Sequence, residues 1–118
     1  MNYKIKDYHV YEVQELGNSG EALGCLGFAT KIVISGKKTG AINEIIPFVA
    51  EFKNWEDSDL LEENSIIKLS IAGLEQEVYP QNGKVEFDFT SEYAGVFDIK
   101  ASTVFPCEIA EIEVVISE

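Results

Sequence analysis

Asn82-Gly83-Lys84-Val85-Glu86-Phe87-Asp88-Phe89-Thr90 is the stretch on which the reading of the fold turns. Asn-Gly is a strong two-residue hairpin signal, because both residues accept the positive φ that such a turn needs. The strand that follows alternates without a break. Val85, Phe87 and Phe89 point one way, and Lys84, Glu86, Asp88 and Thr90 point the other. A period of two with one apolar face is a half-buried β-strand.

Working outward, the same period recurs. Upstream lie Thr30–Ser35 with Ile32 and Ile34 on one face, and Ile45–Lys53 with Ile46, Phe48, Ala50 and Phe52 inward. Pro47 places that second strand at a sheet edge or a bulge, since proline cannot donate to a ladder. Then come Ile66–Ala72, with Ile67, Leu69 and Ile71 on one face, and the short Gln76–Tyr79. Downstream of the hairpin are Val96–Thr103, with Phe97, Ile99 and Ala101 inward, and Ala110–Ile116, with Ala110, Ile112, Val114 and Ile116 inward. Gly36 to Gly40, the polar loop Asn54–Ser65, Gly73, Gly95 and Pro106 punctuate them. Seven strands in about 90 residues is the count of an immunoglobulin-like sandwich. The expected fold is therefore all-β, an immunoglobulin-like β-sandwich of about seven antiparallel strands over residues 30–118. Its core is expected at Ile46, Phe48, Phe52, Leu69, Ile71, Val85, Phe87, Phe89, Phe97, Ile99, Ile112 and Val114.

Residues 1–29 differ. Asn2 to Val13 alternates like a strand, with Tyr3 and Ile5 on one face and Tyr8 and Val10 on the other. A glycine-rich stretch from Gly17 to Gly27 follows. This reads as an N-terminal arm or extra strand with a pliable connector, too short for a core of its own. Its tyrosines Tyr3, Tyr8 and Tyr11, together with Trp55 beyond the second sandwich strand, are the candidate interaction residues. Such rings bury large area while keeping a polar tip.

Charge narrows the partners. Residues 1–50 hold five acids and five lysines, and residues 51–118 hold sixteen acids and four lysines, so the second stretch carries the whole net charge of −12. All nine basic residues are lysine. An acidic chain without arginine lacks the basic face that nucleic acid or an anionic membrane rewards, and no nucleic-acid partner is expected. No window reaches the roughly 18 apolar residues of a membrane helix, and the N-terminus has no continuous apolar stretch of a signal peptide. The expectation is a chain made in the cytoplasm without membrane insertion.

Chemistry is sparse. His9 is the lone histidine and no nucleophile motif accompanies it, so no catalytic residue is assigned and the chain does not read as an enzyme. Cys25 and Cys107 stand far apart without a CxxC pattern and are expected as free thiols. The loop Glu56 to Glu63 offers Asp57, Asp59 and Glu62 as the candidate ligands for calcium, which takes carboxylate oxygens. Its spacing does not match an EF-hand, and a solvated loop with no metal or cofactor is the expected state.

Asn82-Gly83-Lys84 with Phe87, Phe89, Thr90 and Ser91, then Gly95, Phe97, Ile99 and Ala101, resembles the hairpin and following strand of bacterial immunoglobulin-like domains of the invasin and intimin type. The resemblance spans Ile32 to Ile116, and the acidic loop Asn54 to Asn64 departs from it. The segments YHVYEV and GNSGEALG are similar to short immunoglobulin-like proteins encoded among tail genes of phages and prophages. These resemblances imply a non-enzymatic structural or interaction module, virion-associated, with a protein partner, a virion assembly or a second copy as its target. The alternative they imply is an adhesion module for a cell-surface glycan or receptor, with a calcium-stabilised loop.

Overall fold

The computed structural model describes residues 2–13 and 22–118. These form eleven strands: β1 (Asn2–Lys6), β2 (His9–Val13), β3 (Ala22–Phe28), β4 (Thr30–Gly36), β5 (Thr39–Ala41), β6 (Ile46–Asn54), β7 (Ile67–Ile71), β8 (Leu74–Val78), β9 (Lys84–Phe89), β10 (Gly95–Thr103) and β11 (Ala110–Ser117). The described residues contain no helix. Two sheets, β4-β6-β9 and β5-β11-β10-β7-β8, make the sandwich, and β1-β2-β3 is a third sheet. All seven strands expected between residues 30 and 118 are present. Each apolar face meets the opposite sheet, because alternation puts every second side chain on one side.

The core comprises Ile32, Ile34, Ile46, Phe48, Ala50, Phe52, Ile67, Leu69, Val85, Phe89, Ile99, Ala101, Val114 and Ile116, with Cys107 and Ala110 at its margin. Four residues expected in it, Ile71, Phe87, Phe97 and Ile112, pack against it only partly buried. Phe87 still stacks on Phe48, centroids 5.6 Å apart.

Two corrections follow from the topology. Pro47 lies on the central strand of its sheet, not on an edge. The Phe52 N–H donates to the Gly83 carbonyl, so the backbone groups of alternate residues of β6 face β9 and those of Pro47 face β4. There β4 has already ended, its last pair being Gly36 with Phe48. The missing N–H leaves no bond unmade. Secondly, the segment expected as a turn contains β5, which pairs in parallel with β11 after the chain crosses between sheets at Gly36.

One side of the sandwich is sealed. The Ile32 N–H donates to the Glu108 carbonyl (2.9 Å) and the Glu108 N–H to Thr30 (3.0 Å), tying β4 to the segment before β11. On the other side β8 and β9 end their sheets.

The described residues among the first 29 form three strands, β1, β2 and β3. A two-residue turn, Asp7-Tyr8 with φ of 51° and 63°, splits the expected single strand into the hairpin β1-β2. Part of the expected connector is β3, which pairs with β2. Residues 14–21, which include the start of that connector, lie outside the described residues. The molecule measures 61 × 24 × 20 Å with a radius of gyration of 17.4 Å. A compact chain of this length would have about 13–14 Å. The shape is a rod.

Candidate interaction surface

A three-stranded sheet needs a covered apolar face to be stable. The third sheet finds part of that cover on the sandwich. Its turn presents Tyr8, whose ring stacks on Phe105 (5.7 Å, 18°), and Phe105 stacks in turn on Phe52 (6.0 Å, 21°). The Ala29 N–H donates to the Tyr8 carbonyl (2.8 Å). Tyr3 meets Trp55 edge to face, 5.8 Å between centroids. Val10 is fully buried, yet Ile5 opposite it is 59% exposed, as are Tyr8, Leu26 and Phe28 in part. His9 stacks on Phe28 at 4.6 Å, and its Nδ1–H donates to the Asp7 carbonyl.

The four candidate interaction residues therefore separate. Tyr3 and Trp55 come together, Tyr8 joins the Phe105 column, and Tyr11 sits mid-sheet between Lys4 and Cys25. The Trp55 Nε1–H is buried without an acceptor among the described residues. Phe105 and Phe28 escape sequence reasoning, because neither lies in an alternating run with these tyrosines. Stacked pairs contribute about 0.5–1.5 kcal/mol each. Phe105→Ala, which removes two, is expected to cost about 1–3 kcal/mol in ring contacts, in addition to the burial lost with the half-buried ring. Amide exchange in β2 should quicken; unchanged exchange would show that this column does not hold the sheet.

The acidic loop is organised by Asn54 and by lysines. Asn54 Oδ1 accepts from the N–H of Glu56 (2.9 Å) and of Ser58 (3.0 Å), closing the turn. Asp57 pairs with Lys31, and Asp59 with Lys53 at 3.2 Å. Glu51 lies 3.6 Å from both Lys53 and Lys84. The hydrogen bond from Lys31 holds the Asp57 carboxyl below its ordinary value, and that to Asp59 raises Lys53. Because the Asp57 value is lowered on folding, this pair's contribution is full above the ordinary carboxylate range and fades as pH falls through the folded value. Glu62 is exposed and makes no ion pair among the described residues. Among the described residues no three histidine, cysteine or acidic groups converge as a metal site. Lysines supply the counter-charge that a cation would bring.

Elsewhere, Tyr79 is 76% exposed on a shallow groove shared with Leu61, Gln81, Asn82, Lys84 and Glu86. Tyr93, also exposed, is held by its N–H donating to Ser91 Oγ.

Both thiols are free, Cys25 exposed on β3 and Cys107 buried. Burial, with Glu108 and Glu63 nearby, pushes Cys107 up to about 11. The thiolate is the reactive form. A thiol reagent at neutral pH should therefore modify one cysteine per native chain, and the second only after denaturation. Two fast modifications would contradict the burial of Cys107.

These features define an all-β, immunoglobulin-like sandwich carrying an extra sheet. No protein-family model matches the chain, and no curated protein does. Among solved structures it is similar to the CARDB domain of a Pyrococcus furiosus protein, whose crystal structure is in complex with di-metal ions. There the TM-score is 0.52 at 16% identity, over 74% of this chain and 91% of that one. The solution NMR structure of the same CARDB domain gives 0.54 at 16%, over 75% and 94%. At such identity the likeness carries the sandwich fold alone.

Proposed function

We propose that this protein is a non-enzymatic structural or interaction module, made in the cytoplasm and carried on a phage or prophage tail. In this reading its third sheet docks on a protein partner while the acidic sandwich of residues 30–118 projects outward. The observation that carries it is the sheet β1-β2-β3, which leaves Ile5, Tyr8, Leu26 and Phe28 at least partly exposed. Exposed apolar side chains grouped on one element mark an interaction surface. The net charge of −12 disfavours nucleic acid as the partner.

Calcium has less support. The similar CARDB domain was solved with di-metal ions. Here Asp57 and Asp59 are paired with lysines. The second reading is an adhesion module for a glycan or receptor. The exposed Tyr79 ring beside polar groove residues favours it, since aromatic faces carry sugar rings well.

Co-purification of the full chain with the products of its neighbouring genes tests the first reading. A tail protein should be retained by the parent and lost by Leu26→Asp, which puts a charge on the exposed sheet. Equal retention by both, or none by the parent, would overturn it. Glycan binding abolished by Tyr79→Ala would favour the second.

A further inference from the structure

We infer that a partner of the third sheet is a second copy of this chain, which accepts β1 as a parallel strand along the free edge of its β8; this rests on the docking role proposed above. The two edges are matched in length, phase and charge. Each has five residues, and each belongs to a two-residue hairpin.

In such hairpins the closing pair exchanges both hydrogen bonds, and bonding then alternates along the strands. In β1-β2 the closing pair is Lys6 with His9, so Asn2, Lys4 and Lys6 bond inward and the backbones of Tyr3 and Ile5 face outward. In β7-β8 the turn Ala72-Gly73 (φ 50° and 87°) closes at Ile71 with Leu74. Leu74, Gln76 and Val78 bond inward there, and Glu75 and Glu77 offer free N–H and carbonyl groups. β8 ends its sheet, and no backbone bond to its outer edge occurs among the described residues.

Phase selects the direction of pairing. Antiparallel addition places bonded residues directly opposite, which would set Tyr3 and Ile5 against Glu75 and Glu77. Parallel addition staggers them: Ile5 donates to the Glu75 carbonyl and accepts from the Glu77 N–H. Lys4 then lies beside Glu75, Lys6 beside Glu77, and Tyr3 beside Leu74. Leu74 is 78% exposed in the single chain and Ile5 59%. None of the two lysines and two glutamates makes an ion pair among the described residues.

Charge selects the partner. Unlike charges side by side on neighbouring strands attract and like charges repel. Two β1 edges would align lysines, and two β8 edges glutamates. A further sheet edge, β9, mixes Lys84 with Glu86 and Asp88. Addition of a strand to an exposed edge is an established mode of association. Here the pairing of β1 with β8 is attractive and both self-pairings repel.

Sedimentation velocity of the full chain tests this. The parent should associate at low salt and dissociate as salt screens the exposed pairs. Lys4→Glu with Lys6→Glu should weaken association about tenfold or more, and so should Glu75→Lys with Glu77→Lys. An equimolar mixture of the two variants should regain it, because each supplies the edge that the other lacks; the chain carrying all four changes should regain it too. A monomeric parent at low salt, association of either variant at parental strength, or a mixture that stays monomeric would overturn the inference. The docking reading is judged separately, by Leu26→Asp on β3, so the two can fail independently.

Discussion

Phe48→Ala is expected to cost about 3–5 kcal/mol, the range for emptying a buried phenylalanine site. Phe48 is 1% exposed and contacts β9 through its stack on Phe87. Its ring also fills the space in which a Cβ on Gly36 would stand, so truncation opens a void beside a residue with no side chain to fill it. A domain is held by about 5–15 kcal/mol in all, so this loss should lower the melting temperature by roughly 10–20 °C. Phe87→Ala removes the half-buried partner of the same stack and should cost clearly less. Equal losses, or a Phe48→Ala melt within a degree or two of the parent, would contradict this core.

Gly83→Ala is expected to cost about 2–4 kcal/mol, from strain at positive φ plus overpacking. Gly83 has φ +73°, and a Cβ built there would run into the Leu60 carbonyl. That carbonyl belongs to a loop pinned from several sides. The Gly83 N–H donates to Asn64 Oδ1 (3.1 Å), its carbonyl accepts from Phe52 N–H (2.9 Å), and the Leu60 N–H donates to Phe52 (3.1 Å). Relief of the clash must break some of these bonds. Gly73→Ala is the control, because its φ is +87° but nothing lies within 4 Å of the added Cβ. It should cost about 1 kcal/mol, the conformational part alone. Thermal melts of both variants measure the difference; equal losses would mean that the loop yields freely.

Residues 82–90 show why much of the fold was legible. Asn82 and Gly83 take positive φ, and Val85 and Phe89 are buried, as pattern and turn chemistry demand. These are local properties, and local chemistry is written in neighbouring residues. Phe87 shows the limit: its direction was readable, its depth was not, because depth depends on what the opposite sheet places over it. For the candidate surface, the aromatic residues were visible in the sequence and their arrangement was not. Tyr3, Tyr8, Tyr11 and Trp55 stood out as aromatics, while their separation onto Trp55, Phe105 and the mid-sheet depends on contacts between distant segments.

By itself the sequence determined the seven alternating strands of residues 30–118, their inward faces, the Asn82-Gly83 hairpin and the acidity of the second half. Each follows from side-chain period, backbone preference or a charge count, which need no partner. Tertiary structure decided the rest. Thr39-Gly40-Ala41 becomes a strand because β11 offers it an edge, and no period in three residues announces that. Pro47 sits mid-sheet because β4 ends one residue short of it. Asp57 and Asp59 face lysines from β4 and β6, so the loop that resembled a cation site carries its own counter-charge. Asp7-Tyr8 turns without a glycine, and the Tyr8 ring at that turn stacks on Phe105 from a distant segment. Each outcome depends on what a distant segment supplies, and a period or a propensity cannot encode it.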